Sequence, residues 1–226
     1  MSEKILLGVF DVAGTTVIDD GLVIESFFDA ADKYSEDNYD RSEYLQIVTR
    51  TMGERKIDVF ESIYGKGEKA QLAHNAFIDS YLSRVKRGEV ASVPGVEYLF
   101  RDLQQHGVQI ALNTGFPRQI LDQIISVLEW QTFIDFSIAA SEVKLGRPAP
   151  DMINNLIYQY NAHFNTVITA TNVTVIGDTV ADITAGKAAN AKHVIGILSG
   201  IHSREKLMSA GADDVIENLN DVKKYF

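Results

Sequence analysis

The sequence predicts an α/β fold, a doubly wound parallel sheet that is interrupted after its first strand by a small helical segment. From residue 93 onward, short apolar runs alternate with segments of helical periodicity, which is typical of the strands and crossover helices of a parallel sheet. Between residues 18 and 90 the clear pattern is helical, so we expect a helical insertion there.

The first apolar run, residues 5–10, is interrupted only by Gly8 and predicts a strand buried on both faces. Asp11 follows at the carboxyl end of this strand. Ligands of open α/β sheets bind at the carboxyl ends of strands, and Gly14 with two hydroxyl residues comes directly after. Asp11 is therefore a candidate functional carboxylate, with an ordinary surface turn as the alternative.

The remaining elements follow from periodicity. Helices are expected in the insertion near residues 23–34, 44–50, 54–63 and 68–85. Beyond it, strands at 108–112, 133–139, 173–176, 193–197 and 215–216 alternate with helices at 96–105, 118–128, 151–160, 180–188 and 204–210. We therefore predict a core domain of residues 1–17 and 91–226 and a helical cap of residues 18–90 that lies over Asp11 as a lid.

Composition narrows the classes of function. The formal charge of −10 argues against nucleic acid or an anionic membrane as a partner, because affinity for polyanions comes from clustered Lys and Arg. There are no cysteines, which excludes disulfides and thiolate sites and fits a reducing compartment. The short apolar run after the first four residues predicts no signal peptide, so we expect a cytoplasmic protein. An apolar cap helix could pair with a second copy as a homodimer.

Polar side chains also follow three later strands. Thr114 and the free N–H groups of the helix start at Gly115 form a candidate anion site. Arg147, restricted by nearby prolines, suits the oxygens of a phosphate. Asp178 and Asp182 lie one helical turn apart and could hold Mg²⁺. For Thr114 and Asp178 a helix N-cap is the alternative, and for Arg147 a solvated loop position.

Together these positions supply a nucleophilic carboxylate, a hydroxyl, a fixed cation and a metal site at the ends of parallel strands. That combination indicates phosphoryl transfer, with attack by Asp11 on phosphorus and a second step by water. In order and spacing the four motifs resemble those of the haloacid dehalogenase (HAD) superfamily, whose Rossmann-like core carries a helical cap after the first motif. The resemblance covers nearly the whole chain.

The resemblance implies the following roles. Asp11 is the nucleophile, and Asp11, the backbone carbonyl of Ala13 and Asp178 hold Mg²⁺. Thr114, Gly115 and Arg147 bind the phosphoryl group. Asp182 supports the metal site.

Phosphatases of this superfamily carry a second Asp two residues after the nucleophile, whereas this chain has Ala13, which cannot donate a proton. Here the first motif resembles that of the phosphonoacetaldehyde hydrolases, which cleave a carbon–phosphorus bond. These use a cap lysine in a Met-Gly-x-x-Lys motif to form a Schiff base, and Met52 to Lys56 match that motif. A protonated imine at Lys56 would accept the electrons of the broken bond, so no acid is needed at position 13.

Three features depart from these relatives. Val59 stands where they have a histidine, Phe116 replaces a tyrosine, and the cysteine of their first loop has no counterpart, with Leu22 nearby. We therefore expect a phosphonatase-like hydrolase whose substrate is phosphonoacetaldehyde or a related phosphonate. The alternatives are a phosphate monoesterase acting on a small metabolite, in which Lys56 is an ordinary solvated lysine, and a catalytically silent binding protein.

Overall fold

A computed structural model describes residues 4–226. Six strands form one parallel sheet in the order β5-β4-β1-β6-β7-β8. These strands are β1 (Leu7–Asp11), β4 (Gln109–Thr114), β5 (Phe136–Ala139), β6 (Val173–Gly177), β7 (His193–Ile197) and β8 (Asp214–Ile216). The predicted parallel α/β fold is confirmed. Residues 1–3, which belong to the predicted core domain and to the expectation about a signal peptide, lie outside the described residues.

Side chains of β1 alternate between the two faces of the sheet, as the two-residue period of a strand requires. Phe10 packs in one cluster with helices α5 (Val96–Gln105) and α6 (Arg118–Val127). Leu7 and Val9 pack in a second cluster with α7 (Asp151–Phe164) and α8 (Val180–Ala188). Helix α9 (Arg204–Ser209) follows β7. The sheet is therefore covered on both faces, which explains its continuous apolar strands.

Four helices lie in the chain between β1 and α5. They are α1 (Leu22–Tyr34), α2 (Arg41–Arg50), α3 (Lys56–Tyr64) and α4 (Glu68–Lys86). Their buried aromatic residues pack together, with the rings of Phe27 and Phe60 stacked at 5.4 Å. A short antiparallel pair, β2 (Val17–Ile18) with β3 (Ala91–Ser92), joins the two ends of this helical segment.

Candidate active site

The predicted site residues meet at one edge of the sheet. Asp11 ends β1 and Thr114 ends β4, the neighbouring strand, while Asp178 follows β6 on the other side of β1. Parallel neighbouring strands bring their carboxyl ends together, so residues far apart in the chain share one small volume. Arg147 completes the group by pairing with Asp11, and it also pairs with Asp182.

Three buried carboxylates form the centre of the site. One oxygen from each of Asp11, Asp178 and Asp182 lies within 4.8 Å of the others. Thr15 Oγ1 donates a hydrogen bond of 3.0 Å to Asp178 Oδ1. Burial and the nearby charge of Asp11 raise the pKa of Asp178. Hard oxygen ligands in a buried, mutually repelling cluster fit a divalent cation such as Mg²⁺.

Arg147 provides the positive charge inside this cluster. Its Nη1 lies 2.7 Å from Asp11 Oδ1, and the same nitrogen pairs with Asp182. The side chain is buried, and within residues 4–226 its Nε has no hydrogen-bond partner. A buried N–H donor without a partner is costly. This donor is therefore suited to an oxygen of a bound anion.

The candidate anion site at Thr114 and Gly115 lies against the helical segment of residues 18–90. Thr114 Oγ1 accepts a hydrogen bond of 3.2 Å from the N–H of Phe116. At Gly115 a Cβ atom would lie 2.5 Å from the carbonyl oxygen of Glu54 and 2.7 Å from that of Gly53. Only glycine allows this approach, which places the loop before α3 directly over the end of β4.

Lys56 begins α3 and is the one lysine of residues 4–226 that is buried. Its Nζ donates to the carbonyl oxygen of Glu54 at 3.3 Å and lies 6.0 Å from the ring centre of Phe116. Burial, and then the positive charge of Arg147, lowers the pKa of Lys56 to about 8. Together with Asp11, Lys56 lines a small cavity of about 20 Å³.

A model of the "Haloacid dehalogenase-like hydrolase" family matches residues 9–196. The chain belongs to this family. It is therefore a hydrolase, and the predicted HAD membership is confirmed. Hydrolases of this family use a divalent metal, which agrees with the cluster of three aspartates.

Relatives of this HAD hydrolase differ in activity. The "Bifunctional riboflavin kinase/FMN phosphatase" of Arabidopsis thaliana is 28% identical over 216 residues, covering 95% of the chain but 54% of that protein, so the chain spans about half of this relative. The "Phosphonoacetaldehyde hydrolase" of Latilactobacillus sakei is 24% identical, with 95% of the chain and 92% of that protein covered. "Pyrophosphatase PpaX" of Anoxybacillus flavithermus is also 24% identical, with 95% and 93% covered.

Solved structures agree with the HAD fold. A hydrolase from Pseudomonas syringae aligns with a TM-score of 0.82 at 18% identity, covering 97% of both chains. A predicted phosphatase from Clostridium acetobutylicum aligns with a TM-score of 0.79 at 22% identity, covering 98% of both chains. At these identities the similarity establishes the architecture alone.

Two residues beside the site were missed by the sequence analysis. Gly200, in the loop after β7, approaches Asp178 so closely that a Cβ atom would lie 1.7 Å from its Oδ2. Asp19, after β2, accepts hydrogen bonds from Tyr81 Oη at 3.0 Å and from the N–H of Val23 at 3.2 Å. The contact of Gly200 with Asp178 and that of Asp19 with Tyr81 join segments distant in sequence, so no local pattern predicts them.

The structure also bears on the expectations about a membrane, about Ala13 and about the Met-Gly-x-x-Lys motif. Across residues 4–226, no helix has the length and apolarity needed to cross a membrane. Ala13 lines the same small cavity as Asp11, so the position of the missing acid does face the site. Gly53, with φ +85°, would place a Cβ atom 2.4 Å from Thr179 Oγ1, which gives the glycine of the Met-Gly-x-x-Lys motif a steric reason.

Proposed function

We propose that this hydrolase cleaves the carbon–phosphorus bond of a small phosphonate that carries a carbonyl group, phosphonoacetaldehyde or a close analogue. The observation that carries this proposal is the buried amine of Lys56, which lines one cavity with Asp11, Thr114 and Arg147. Its pKa is lowered to about 8, which leaves a useful fraction of nucleophilic free amine near neutral pH. A solvated lysine would have neither the burial nor this pKa.

The proposed reaction begins at Lys56. Its amine attacks the substrate carbonyl, and loss of water gives a protonated imine. A carboxylate oxygen of Asp11 then attacks phosphorus, and the carbon–phosphorus bond breaks. The released electron pair moves into the imine and forms an enamine, so no acid is required at Ala13. Protonation and hydrolysis of the enamine release the aldehyde and restore Lys56. A second water splits the aspartyl phosphate into phosphate and Asp11.

The other residues stabilise charge. Arg147 and the N–H groups around Thr114 and Gly115 would hold the phosphoryl oxygens. Asp11, the carbonyl of Ala13 and Asp178 would hold Mg²⁺, which neutralises charge on the phosphoryl group when bound. We assign Asp182 to the support of this site, since it contacts Arg147 and accepts a hydrogen bond of 3.1 Å from the N–H of Thr179.

We also propose that residues 18–90 act as a cap domain over a core of residues 1–17 and 91–226. The close approach of Gly53 to Thr179, and of Gly115 to Glu54, supports this division of roles. Such a cap excludes water from a reactive imine. We propose a small molecule as the substrate and neither nucleic acid nor a membrane as a partner. We also propose that the protein acts in the cytoplasm. A homodimer through a cap helix stays a prediction.

Phosphate monoester hydrolysis is the second candidate. It is favoured by the relative named FMN phosphatase and by a second, larger cavity next to Ala13. A silent binding protein fits less well, because the three aspartates and Arg147 are all in place.

Borohydride trapping separates these functions. The protein is mixed with phosphonoacetaldehyde and Mg²⁺, reduced and mapped by mass spectrometry, with released phosphate assayed in parallel. We expect a reduced adduct on Lys56 and loss of both adduct and phosphate release in Lys56→Arg. The exposed Lys66→Arg is the matched control and should behave as the wild type. Phosphate released from esters alone, with no adduct and no effect of Lys56→Arg, would overturn the phosphonatase proposal.

A further inference from the structure

A second cavity of about 330 Å³ opens beside Ala13. This volume falls in the range of small-molecule pockets, about 300–1,000 Å³. It far exceeds the space that a two-carbon aldehyde fills. Most of its lining is apolar, from Val17, Ile18, Val23, Ile24, Met52, Val93 and Ile201.

The second cavity adjoins the small one that contains Asp11. Ala13, Val23 and Met52 line both cavities. Ala13 therefore borders the passage from the small cavity, where Arg147 would hold a phosphoryl group, into the larger one. The absence of a carboxyl group at position 13 widens this passage.

The charges of the two cavities are opposite. Both cations of the site, Lys56 and Arg147, line the small cavity. Among the described residues that line the larger cavity there is no Lys, Arg or His, whereas Asp19, Asp20 and Asp178 line it. Asp178 belongs to the proposed metal site, so Asp19 and Asp20 give the larger cavity its own negative charge.

Asp19 is fixed in position. Tyr81 and the N–H of Val23 each donate a hydrogen bond to one of its carboxylate oxygens. Tyr81 in turn packs against Phe116, with ring centres 4.6 Å apart. Phe116 lies next to the Lys56 amine. Asp20 is exposed, so it contributes charge at the rim without a packing role.

We propose that the larger cavity receives the part of the leaving group that extends beyond the carbon bound to Lys56, and that it selects apolar groups with a neutral or positively charged end against anionic ones. This inference rests on the proposed site of phosphoryl transfer at Asp11. Like charges brought together in a partly buried site repel strongly. Pyrophosphate and phosphorylated carboxylic acids, whose leaving groups are anionic, should therefore be poor substrates.

Binding of inert analogues tests the inference without turnover. Three alkylphosphonates of equal chain length, ending in methyl, ammonium or carboxylate, are titrated calorimetrically into the protein with Mg²⁺. We expect the ammonium and methyl compounds to bind at least about tenfold more tightly than the carboxylate, a difference of about 1.4 kcal/mol. The ratio between ammonium and carboxylate should fall in Asp19→Asn and in Asp20→Asn. The exposed Asp37→Asn changes the net charge equally, lies outside the cavity lining and should leave the ratio unchanged.

Equal binding of the three compounds, tighter binding of the carboxylate, or no binding by any of them would overturn the inference. So would a ratio that Asp20→Asn does not change, since that exposed substitution should leave the fold intact. The expected order together with no turnover of phosphonoacetaldehyde or phosphate esters would reject the proposed function and keep the pocket assignment. Turnover with the opposite order would reject the pocket assignment alone.

Discussion

The lowered pKa of Lys56 predicts how the rate of imine formation depends on pH. Burial contributes most to lowering its pKa from 10.5 to about 8, and Arg147 adds to the effect, while Asp11, Asp19 and Glu54 oppose it. At pH 7 a pKa of 8 leaves about 10% free amine, against about 0.03% for an ordinary lysine. The structure therefore supplies roughly 300-fold more nucleophile.

The free amine is the attacking form, so the rate should rise with pH and level off above about 8. The assay is the initial rate of borohydride trapping by phosphonoacetaldehyde between pH 6 and 10, followed as the mass of the Lys56 adduct. Glu54→Gln removes a charge that raises the pKa of Lys56, so its profile should shift to lower pH. Asp37→Asn should not shift the profile. A midpoint near 10.5, or no adduct at any pH, would refute the reasoning.

Three further predictions concern the rest of the site. Mg²⁺ should raise the thermal unfolding temperature, by an amount equivalent to about 2.7 kcal/mol at 100 times Kd, and chelation should stop phosphate release. Arg147→Ala should lower the free energy of unfolding by about 3–5 kcal/mol, measured by denaturant titration, because buried Asp11 and Asp182 lose their partner. Gly53→Ala should reduce kcat/KM for phosphonoacetaldehyde, since its Cβ atom would meet Thr179.

Each of these predictions has a result that would contradict it, and Gly53→Ala also has a matched control. Gly65 also has a positive φ, of +75°, but a Cβ atom there meets nothing within 4 Å, so Gly65→Ala isolates backbone strain from the clash. Equal loss of activity in both glycine variants would contradict the steric explanation. For Arg147→Ala, unchanged stability would contradict the compensating role of the guanidinium. Full activity in the presence of a strong chelator would remove the metal from the mechanism.

Much of the fold could be predicted because it depends on local patterns. Alternating apolar runs and helical segments define a parallel sheet, and the sheet brings Asp11, Thr114 and Asp178 to one edge. The structure starts β1 at Leu7 and includes Asp11 in it, a shift of the strand bounds that does not move Asp11 from its carboxyl end. The motif resemblance marked Lys56 as a candidate, but its burial was not predicted, because helical periodicity gave no sign of it.

The missed features depend on contacts between distant segments. Strands β2 and β3 have two residues each, too short for a periodic signal, and they pair only because the helical segment returns to its start. Asp19 lies beside Tyr81 through the packing of α1 against α4. A glycine is required at position 200 by the side chain of Asp178, which follows β6. The catalytic roles of the site residues stay predictions.

The most direct test of the account is to look for the phosphoryl group on Asp11. The protein is mixed with phosphonoacetaldehyde and Mg²⁺, quenched in acid within the first turnover, and its peptides are mapped by mass spectrometry. The account predicts added phosphoryl mass on the peptide that contains Asp11, and none in Asp11→Asn, which should keep the circular dichroism spectrum of the wild type. Phosphate release without this mass, or an active Asp11→Asn variant, would contradict nucleophilic attack by Asp11.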